Sequence, residues 1–229
     1  MTHPLHPSII FEAPDVLAVD KPAGLASIPE RNLEEPSAQR LLEGTRQERL
    51  FVIHRLDKEV SGLLLFARSA AAHRELSLAF EHRTVEKHYL AISAGWLPED
   101  SSLIDAPVFQ FGSGRTGVDP RGKASQTRWR RRSRHREPDH PVLLDLEPLT
   151  GREPLTGRRH ELRVHAYHVG HPLLGDPRYG DRTTQRRHPR LSLHAWRLSF
   201  PHRKLALEAP PCALFSSLAE SFSLIIPRQ

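Results

Sequence analysis

Asp57 is the residue of this chain best placed to do chemistry. It lies in the stretch FVIHRLDKEVSGLLLFA, residues 51–67, between Arg55 and Lys58, with Glu59 two positions on. Three apolar residues precede the polar run, and a short apolar strand, residues 63–66, follows it. A charged loop held between two apolar segments is costly unless its charges are paired or used. A carboxylate beside two cations can serve as an ionised nucleophile, or it can cap a turn and pair with Arg55. Residues 57 and 59 also offer two carboxylates, the minimum set for glycoside hydrolysis. That reading is the weaker one, because the basic loops elsewhere in the chain fit a polyanion better.

Around this loop the pattern predicts alternating short strands and helices. Residues 9–20 read as two strands about a turn at Ala13-Pro14-Asp15. In KPAGL, residues 21–25, Pro22 fixes one torsion and Gly24 permits a tight turn. Lys21 is either a phosphate contact, a loop anchor or a solvated strand-end lysine. Residues 30–50 suggest a short helix. Residues 69–83 predict a longer one, capped by Ser69, with Leu76, Ala79 and Phe80 on its apolar face and His73 and His82 at the surface. KHYLAISAG, residues 87–95, alternates as a strand, with Leu90 and Ile92 on one face and Tyr89 and Ala91 on the other. Tyr89 then reads as a half-buried packing aromatic. Residues 107–127 are rich in glycine turns but lack the spacing of a phosphate-binding P-loop. A strand follows over residues 142–149. After Thr156 and Gly157 the spacing turns helical, with Leu162, Ala166 and Val169 on one face and Gly170 at the end. Arg158, Arg159 and His160 then lie near a helix N-terminus, where backbone N–H groups can hold phosphate. Residues 191–202 read as a late strand, and the C-terminal residues as a short helix with an apolar tail.

Composition points to an acidic partner. The chain has 229 residues, 33 Lys plus Arg, 27 Asp plus Glu and a net charge of +6. RNA is the expected partner, with Lys and Arg contacting phosphates. Six of the nine residues from 128 to 136 are arginines, including Arg130, Arg131 and Arg132. The run is either a solvated hairpin tip or an RNA contact; like charges this dense repel, and a polyanion relieves that. Trp129 beside them is expected to anchor the hairpin to the core. The segment 186–190, RRHPR, is a further phosphate candidate. Cys212 is the lone cysteine, which excludes a disulfide framework and a cysteine-rich zinc site. His160, His165, His168 and His171 lack the spacing of a histidine metal site, so no metal and no cofactor are expected. The first ten residues do not read as a signal peptide, and no apolar run approaches the roughly eighteen residues of a membrane span. The expected setting is the cytoplasm, away from membranes.

Two long motifs and several short ones together resemble the RluA-type pseudouridine synthases. HRLDKEVSG is similar to the family's central HRLD…TSG motif, with Val60 in place of the usual threonine. TGRRHELRVH with GHPLLGDPRYG, residues 156–165 and 170–180, resembles the family's second long motif, with Glu161 in place of glutamine. KPAGL, the Lys87–Tyr89 pattern, GKASQT at 122–127 and the LHA of residues 193–195 match shorter ones, with Asp20 where the family usually has asparagine. The resemblance covers about residues 9–205. It implies an α+β fold, a mixed central sheet in two lobes around a catalytic cleft. It implies one catalytic domain over residues 1–229, with a basic hairpin insertion around 128–140. The implied activity is isomerisation of uridine to pseudouridine in stem-loops of ribosomal or transfer RNA, by a monomer. Asp57 is then the nucleophile, attacking either the uracil ring or the ribose anomeric carbon. Arg163 pairs with Asp57, and Tyr89 stacks on the target base. RNA contacts fall to His54, Arg55, Lys21, Lys87, Arg158, His160 and the arginine run, and residues 175–180 form a structural loop. The competing reading is a non-catalytic RNA-binding protein.

Overall fold

A computed structural model describes residues 5–32, 34–95, 99–133, 140–150 and 159–226. Its strands in chain order are β1 (Ser8–Glu12), β2 (Val16–Lys21), β3 (Phe51–Val52), β4 (Ser61–Ala67), β5 (Glu86–Ser93), β6 (Ser101–Asp105), β7 (Val108–Gln110), β8 (Thr116–Val118), β9 (Gln126–Arg131), β10 (Val142–Pro148), β11 (Leu193–Phe200) and β12 (Leu205–Glu208). Its α-helices are α1 (Ala38–Arg46), α2 (Ala70–Glu81), α3 (Glu161–His168), α4 (Arg182–Arg186) and α5 (Ala213–Ser221). The class is α+β, as the sequence implied. Within the span expected as one domain, the chain divides into two compact units. The first comprises Met1–Lys87, Arg152–Gly157 and Ala195–Pro210; the second comprises His88–Gly151, Arg158–His194 and Pro211–Gln229.

In the first unit β1, β2, β4 and β11 lie side by side, with β3 on β4 and β12 on β11. Strands β2 and β4 run antiparallel in a register from Val16 opposite Ala67 to Lys21 opposite Gly62. That register matters for the site, because it sets Lys21 directly beside the end of the Asp57 loop. Every residue of β4 is buried, which is why its sequence is a continuous apolar run and not an alternation. Helix α2 starts at Ser69, whose hydroxyl accepts from the Ala72 N–H at 3.1 Å. Its Leu76, Ala79 and Phe80 join Leu63, Leu65 and Phe200 in one apolar core.

The second unit carries the antiparallel order β5-β10-β9-β6 and the separate hairpin β7-β8. Trp129 is buried on β9, the core-anchoring role expected of it. Asp145 is a buried carboxylate between the apolar Leu144 and Leu146 of β10. It accepts from His88 Nδ1 at 2.9 Å and from an Arg132 terminal nitrogen at 2.6 Å. Burial pushes its pKa up, but the His88 and Arg132 hydrogen bonds outweigh that and hold it below the usual value.

The arginine run departs from expectation. Arg128–Arg131 are not a hairpin tip but lie within strand β9. Their repulsion is met by carboxylates of this chain: Arg128 pairs with Glu147 at 2.7 Å, Arg131 with Asp100, and Arg132 with Asp145. Arg130 is exposed. Residues 134–139, the rest of the expected insertion, lie outside the described residues. The predicted helix near 157 begins at Glu161, and Val169 is its C-cap residue, 38% exposed, not part of the buried face. Helix α5 docks as expected through Phe215 and Ala219, whereas Ile225 beyond it is 81% exposed.

Candidate active site

The Asp57 loop is shaped by grips on the backbone of its neighbours. Ser27 holds Leu56 from both sides: its hydroxyl donates to the Leu56 carbonyl at 2.8 Å and accepts from the Leu56 N–H at 3.0 Å. On the other side of Asp57, the Lys58 carbonyl accepts from the Gly24 N–H at 2.7 Å and from the Lys21 ammonium at 3.3 Å. A turn bond from the Val60 N–H to the Asp57 carbonyl, 3.0 Å, closes the loop. KPAGL and HRLD, thirty-odd positions apart in sequence, are thus one structure. Asp57 is half-buried, and its two sequence neighbours are pinned through their backbones. Lys58 does not simply flank it, because its ammonium forms an ion pair with Glu35 at 2.5 Å. Val60 is 3% exposed, so the position usually held by threonine is filled by an apolar side chain in the interior.

Gly62 ends the loop at φ +110°, and a Cβ there would stand 2.2 Å from the Ala195 carbonyl oxygen of β11. The glycine is required by that close approach as well as by its torsion. This joins the SG of the central motif to the LHA segment.

Two expected RNA contacts in this unit are corrected. Lys21 has no exposed surface, and its ammonium donates to the carbonyls of Pro22 (3.0 Å), Leu25 (2.7 Å) and Lys58. It is a loop anchor and not a phosphate contact, because three carbonyl dipoles take up its donors in the interior. His54 is buried, stacks on Phe80 at 5.2 Å between centroids, and accepts the Leu65 N–H at Nε2. Burial first, and then the charge of Lys87, push its pKa down to about 3. It is a neutral structural residue. Arg55 is exposed, as an RNA contact needs to be. The Lys87 ammonium lies 5.7 Å from the Phe80 ring centroid.

In the second unit Arg163 is 1% exposed on α3. Its Nε and one terminal nitrogen donate to the two oxygens of Asp176 at 2.7 and 2.8 Å, a bidentate pair. Asp176 is itself buried and also accepts from the N–H groups of Arg178 and Tyr179, at 2.9 and 3.2 Å. The residues expected to form a structural loop therefore hold the arginine in place. Arg163 sits 5.3 Å from the Tyr179 ring centroid, and the Tyr179 hydroxyl meets His160 Nδ1 at 3.0 Å. Burial raises the Tyr179 pKa, against the nearby Arg163 charge. His160 is buried and left-handed at φ 58°, so it is a packing and hydrogen-bonding residue and not the RNA-facing group expected. Glu161 is buried too, and accepts from the Thr150 hydroxyl at 2.8 Å. Tyr89 is half-buried on β5, opposite Leu146 of β10. Arg158 lies outside the described residues. Both ring nitrogens of His165 are taken, by the Thr127 hydroxyl and the Ala106 carbonyl.

Sequence reasoning missed Ser27 and the Asp176 partner of Arg163. A small hydroxyl residue two positions after KPAGL is the only signal for the first, and GDxxYG after the helix that carries LRVH for the second.

The family model of RNA pseudouridylate synthases matches residues 15–168. The chain belongs to this family. Among its curated relatives, the ribosomal large subunit pseudouridine synthase C of Vibrio cholerae is 34% identical, over 88% of this chain and 65% of its own length. The dual-specificity RNA pseudouridine synthase RluA of Vibrio vulnificus is 36% identical, over 86% of this chain and 78% of its own length. The ribosomal large subunit pseudouridine synthase D of Nitrosomonas europaea is 36% identical, with 85% and 58% covered. The chain thus spans only about two thirds of the length of some of these relatives. Among solved structures, human RNA pseudouridylate synthase domain containing 1 superposes with a TM-score of 0.73 at 27% identity, covering 93% of this chain and 86% of that one. Human RNA pseudouridylate synthase domain containing 4, at 23% identity and a TM-score of 0.75, shares the fold.

Proposed function

We propose that this chain is an RNA pseudouridine synthase acting on stem-loop uridines of ribosomal RNA, transfer RNA or both. The observation that carries the reading is the Asp57 loop: one half-buried carboxylate, with both sequence neighbours clamped by Ser27, Gly24 and Lys21. Clamping the backbone on either side helps to fix where the carboxylate points. The substrate class rests on the names of the relatives, which include large-subunit ribosomal enzymes and a dual-specificity one. It follows that the setting is cytoplasmic or ribosome-associated. The chain acts as a monomer, and no helix among the described residues is long and apolar enough to cross a membrane.

The reaction breaks the bond from uracil N1 to the ribose anomeric carbon, turns the base, and joins its C5 to that carbon. The C5 proton is lost and N1 gains one, so atoms balance without an oxidant or a group donor. Asp57 attacks as the ionised carboxylate, at the ring or at the anomeric carbon, and keeps the base or sugar bound while the base turns. The family resemblance assigns Arg163 to keep the nucleophile ionised, and within its own unit Asp176 holds the guanidinium in one orientation. Tyr89 packs on the extruded base, and exposed Arg55 supports the flipped backbone.

Asp57→Asn tests the reading. Tritium release from C5-labelled uridine in a total-RNA transcript pool is expected to fall by roughly four orders of magnitude or more, while RNA binding and the circular dichroism spectrum stay as in the wild type. A folded Asp57→Asn protein turning over near the wild-type rate refutes the assignment and leaves an RNA-binding protein.

A further inference from the structure

The second unit carries a groove that the proposed chemistry does not use. It has a volume of about 770 Å³ and lies among the β7-β8 hairpin, α3 and the turn after Asp176. Phe111, Arg115, Tyr167, His168, Arg178 and Tyr179 line it, and among the described residues its lining includes no carboxylate. Arg115, His168 and Arg178 are exposed. Tyr167 is 53% exposed, an unusual position for a large aromatic on a helix. Its volume is within the range of pockets that hold an organic ligand, but the groove is open and cationic.

Cations without a carboxylate among them attract anions, and an exposed aromatic ring offers a face to a flat ring. The two together are what a single-stranded nucleic acid needs: phosphate pairing along the backbone and stacking on the base. We infer that this groove binds a single-stranded RNA segment, with Arg115 and Arg178 on phosphates and Tyr167 stacked on a base. The inference rests on the pseudouridine synthase reading for the identity of the ligand as substrate RNA. The groove then contacts nucleotides of the substrate other than the target uridine. Its floor supports this role. Val164 and Tyr179 line the groove from below, and Tyr179 lies against Arg163 and meets His160. A ligand seated there rests on the same framework that fixes the arginine.

The test uses the full chain and a fluorescent twelve-nucleotide oligouridylate, titrated at several salt concentrations. Replacing Arg115 and Arg178 together by Ser is expected to weaken binding and to flatten the slope of log K against log salt by about 1.4, the value for two phosphates on a single strand. Tyr167→Ala is expected to weaken binding about fivefold or more with the slope unchanged. Tyr167→Phe is expected to restore it, because stacking needs the ring and not the hydroxyl. All three positions are exposed, so melting temperatures are expected to stay near the wild-type value. Unchanged affinity and slope in both the arginine and the Tyr167→Ala variants overturn the inference, as does failure of Tyr167→Phe to restore binding. These readouts do not depend on turnover. If the wild type makes no pseudouridine yet shows these binding changes, the function reading fails and the groove stands as an RNA site; if it makes pseudouridine and the variants bind normally, the reverse holds.

Discussion

Asp57 and Arg163 are both charged residues central to the proposed chemistry, and the protein positions them in opposite ways. Around Asp57 the grips fall on backbone groups: Leu56 by Ser27, Lys58 by Gly24 and Lys21. Around Arg163 the grip falls on the charge itself, through a bidentate pair with a carboxylate that is also fully buried. Fixing the backbone on both sides of a reactive group helps to set its position. A group that acts by orientation and charge gains from being locked. Breaking the buried Arg163–Asp176 pair is therefore expected to cost more stability than neutralising Asp57.

The largest expected effect on stability separates the two. Asp176→Asn leaves the Arg163 guanidinium buried against a neutral amide. A loss of roughly 3–5 kcal/mol is expected, the usual cost of breaking a buried pair from one side. Asp57→Asn, at a half-buried position, is expected to cost no more than about 1 kcal/mol, while abolishing turnover. Urea unfolding of both variants at pH 7 measures this. Asp176→Asn costing under about 1 kcal/mol would erase the contrast.

Ser27→Ala sharpens the same comparison from the side of the loop. It removes both hydrogen bonds to Leu56 and leaves a buried N–H and carbonyl without them. A cost of about 1–3 kcal/mol is expected, together with a fall in kcat larger than the change in KM, because the carboxylate is misplaced and RNA binding is not. A variant destabilised as stated but with normal kcat would show that the clamp supports the fold alone.

The fold was legible wherever one strand or helix decided the pattern. The strands of residues 9–20, the α2 helix with its Ser69 cap and the buried run of β4 follow from periodicity and capping. Lys21 and His54 were not legible, because nothing in the local pattern tells a cation or an imidazole on the surface from one turned inward onto backbone groups. The arginine run misled for a related reason. Its partners Asp100, Asp145 and Glu147 come from neighbouring strands or their approaches, so a run that looks unbalanced in sequence is balanced across the sheet. Family motifs are what assign roles to Asp57 and Arg163, and the Asp176 pair had to come from the structure.

His54 gives a pH test of that inward turn. Its folded pKa is about 3 against 6.5 for a free histidine. Between these values the unfolded chain binds the extra proton, so stability rises with pH across the window. The contribution is complete above about pH 6.5 and is lost as pH falls toward 3. The slope is at most about 1.4 kcal/mol per pH unit for one proton. His54→Gln keeps an acceptor for the Leu65 N–H and does not titrate. It is expected to lie within about 1 kcal/mol of wild type at pH 7, and to lose less stability than wild type between pH 6 and 4. Equal acid sensitivity of the two proteins in urea unfolding would show that the imidazole is not held neutral.

The smallest effects concern the arginines of β9, which differ although they are adjacent. Arg131 is paired with Asp100, and its side chain is only 4% exposed. Arg130, the next residue on the strand, points to the other face and is exposed. If that face meets RNA, Arg130→Ser lowers the salt slope of binding by about 0.7–0.9, the share of one phosphate, and leaves stability unchanged. Arg131→Ser is expected to lower stability by up to about 1 kcal/mol, the worth of a partly exposed pair, and to leave the salt slope alone. The two substitutions remove the same charge from neighbouring positions, so any effect of net charge alone appears equally in both. A difference between them therefore reports which face of the strand the polyanion reaches, and equal slopes would return the run to the surface's general charge.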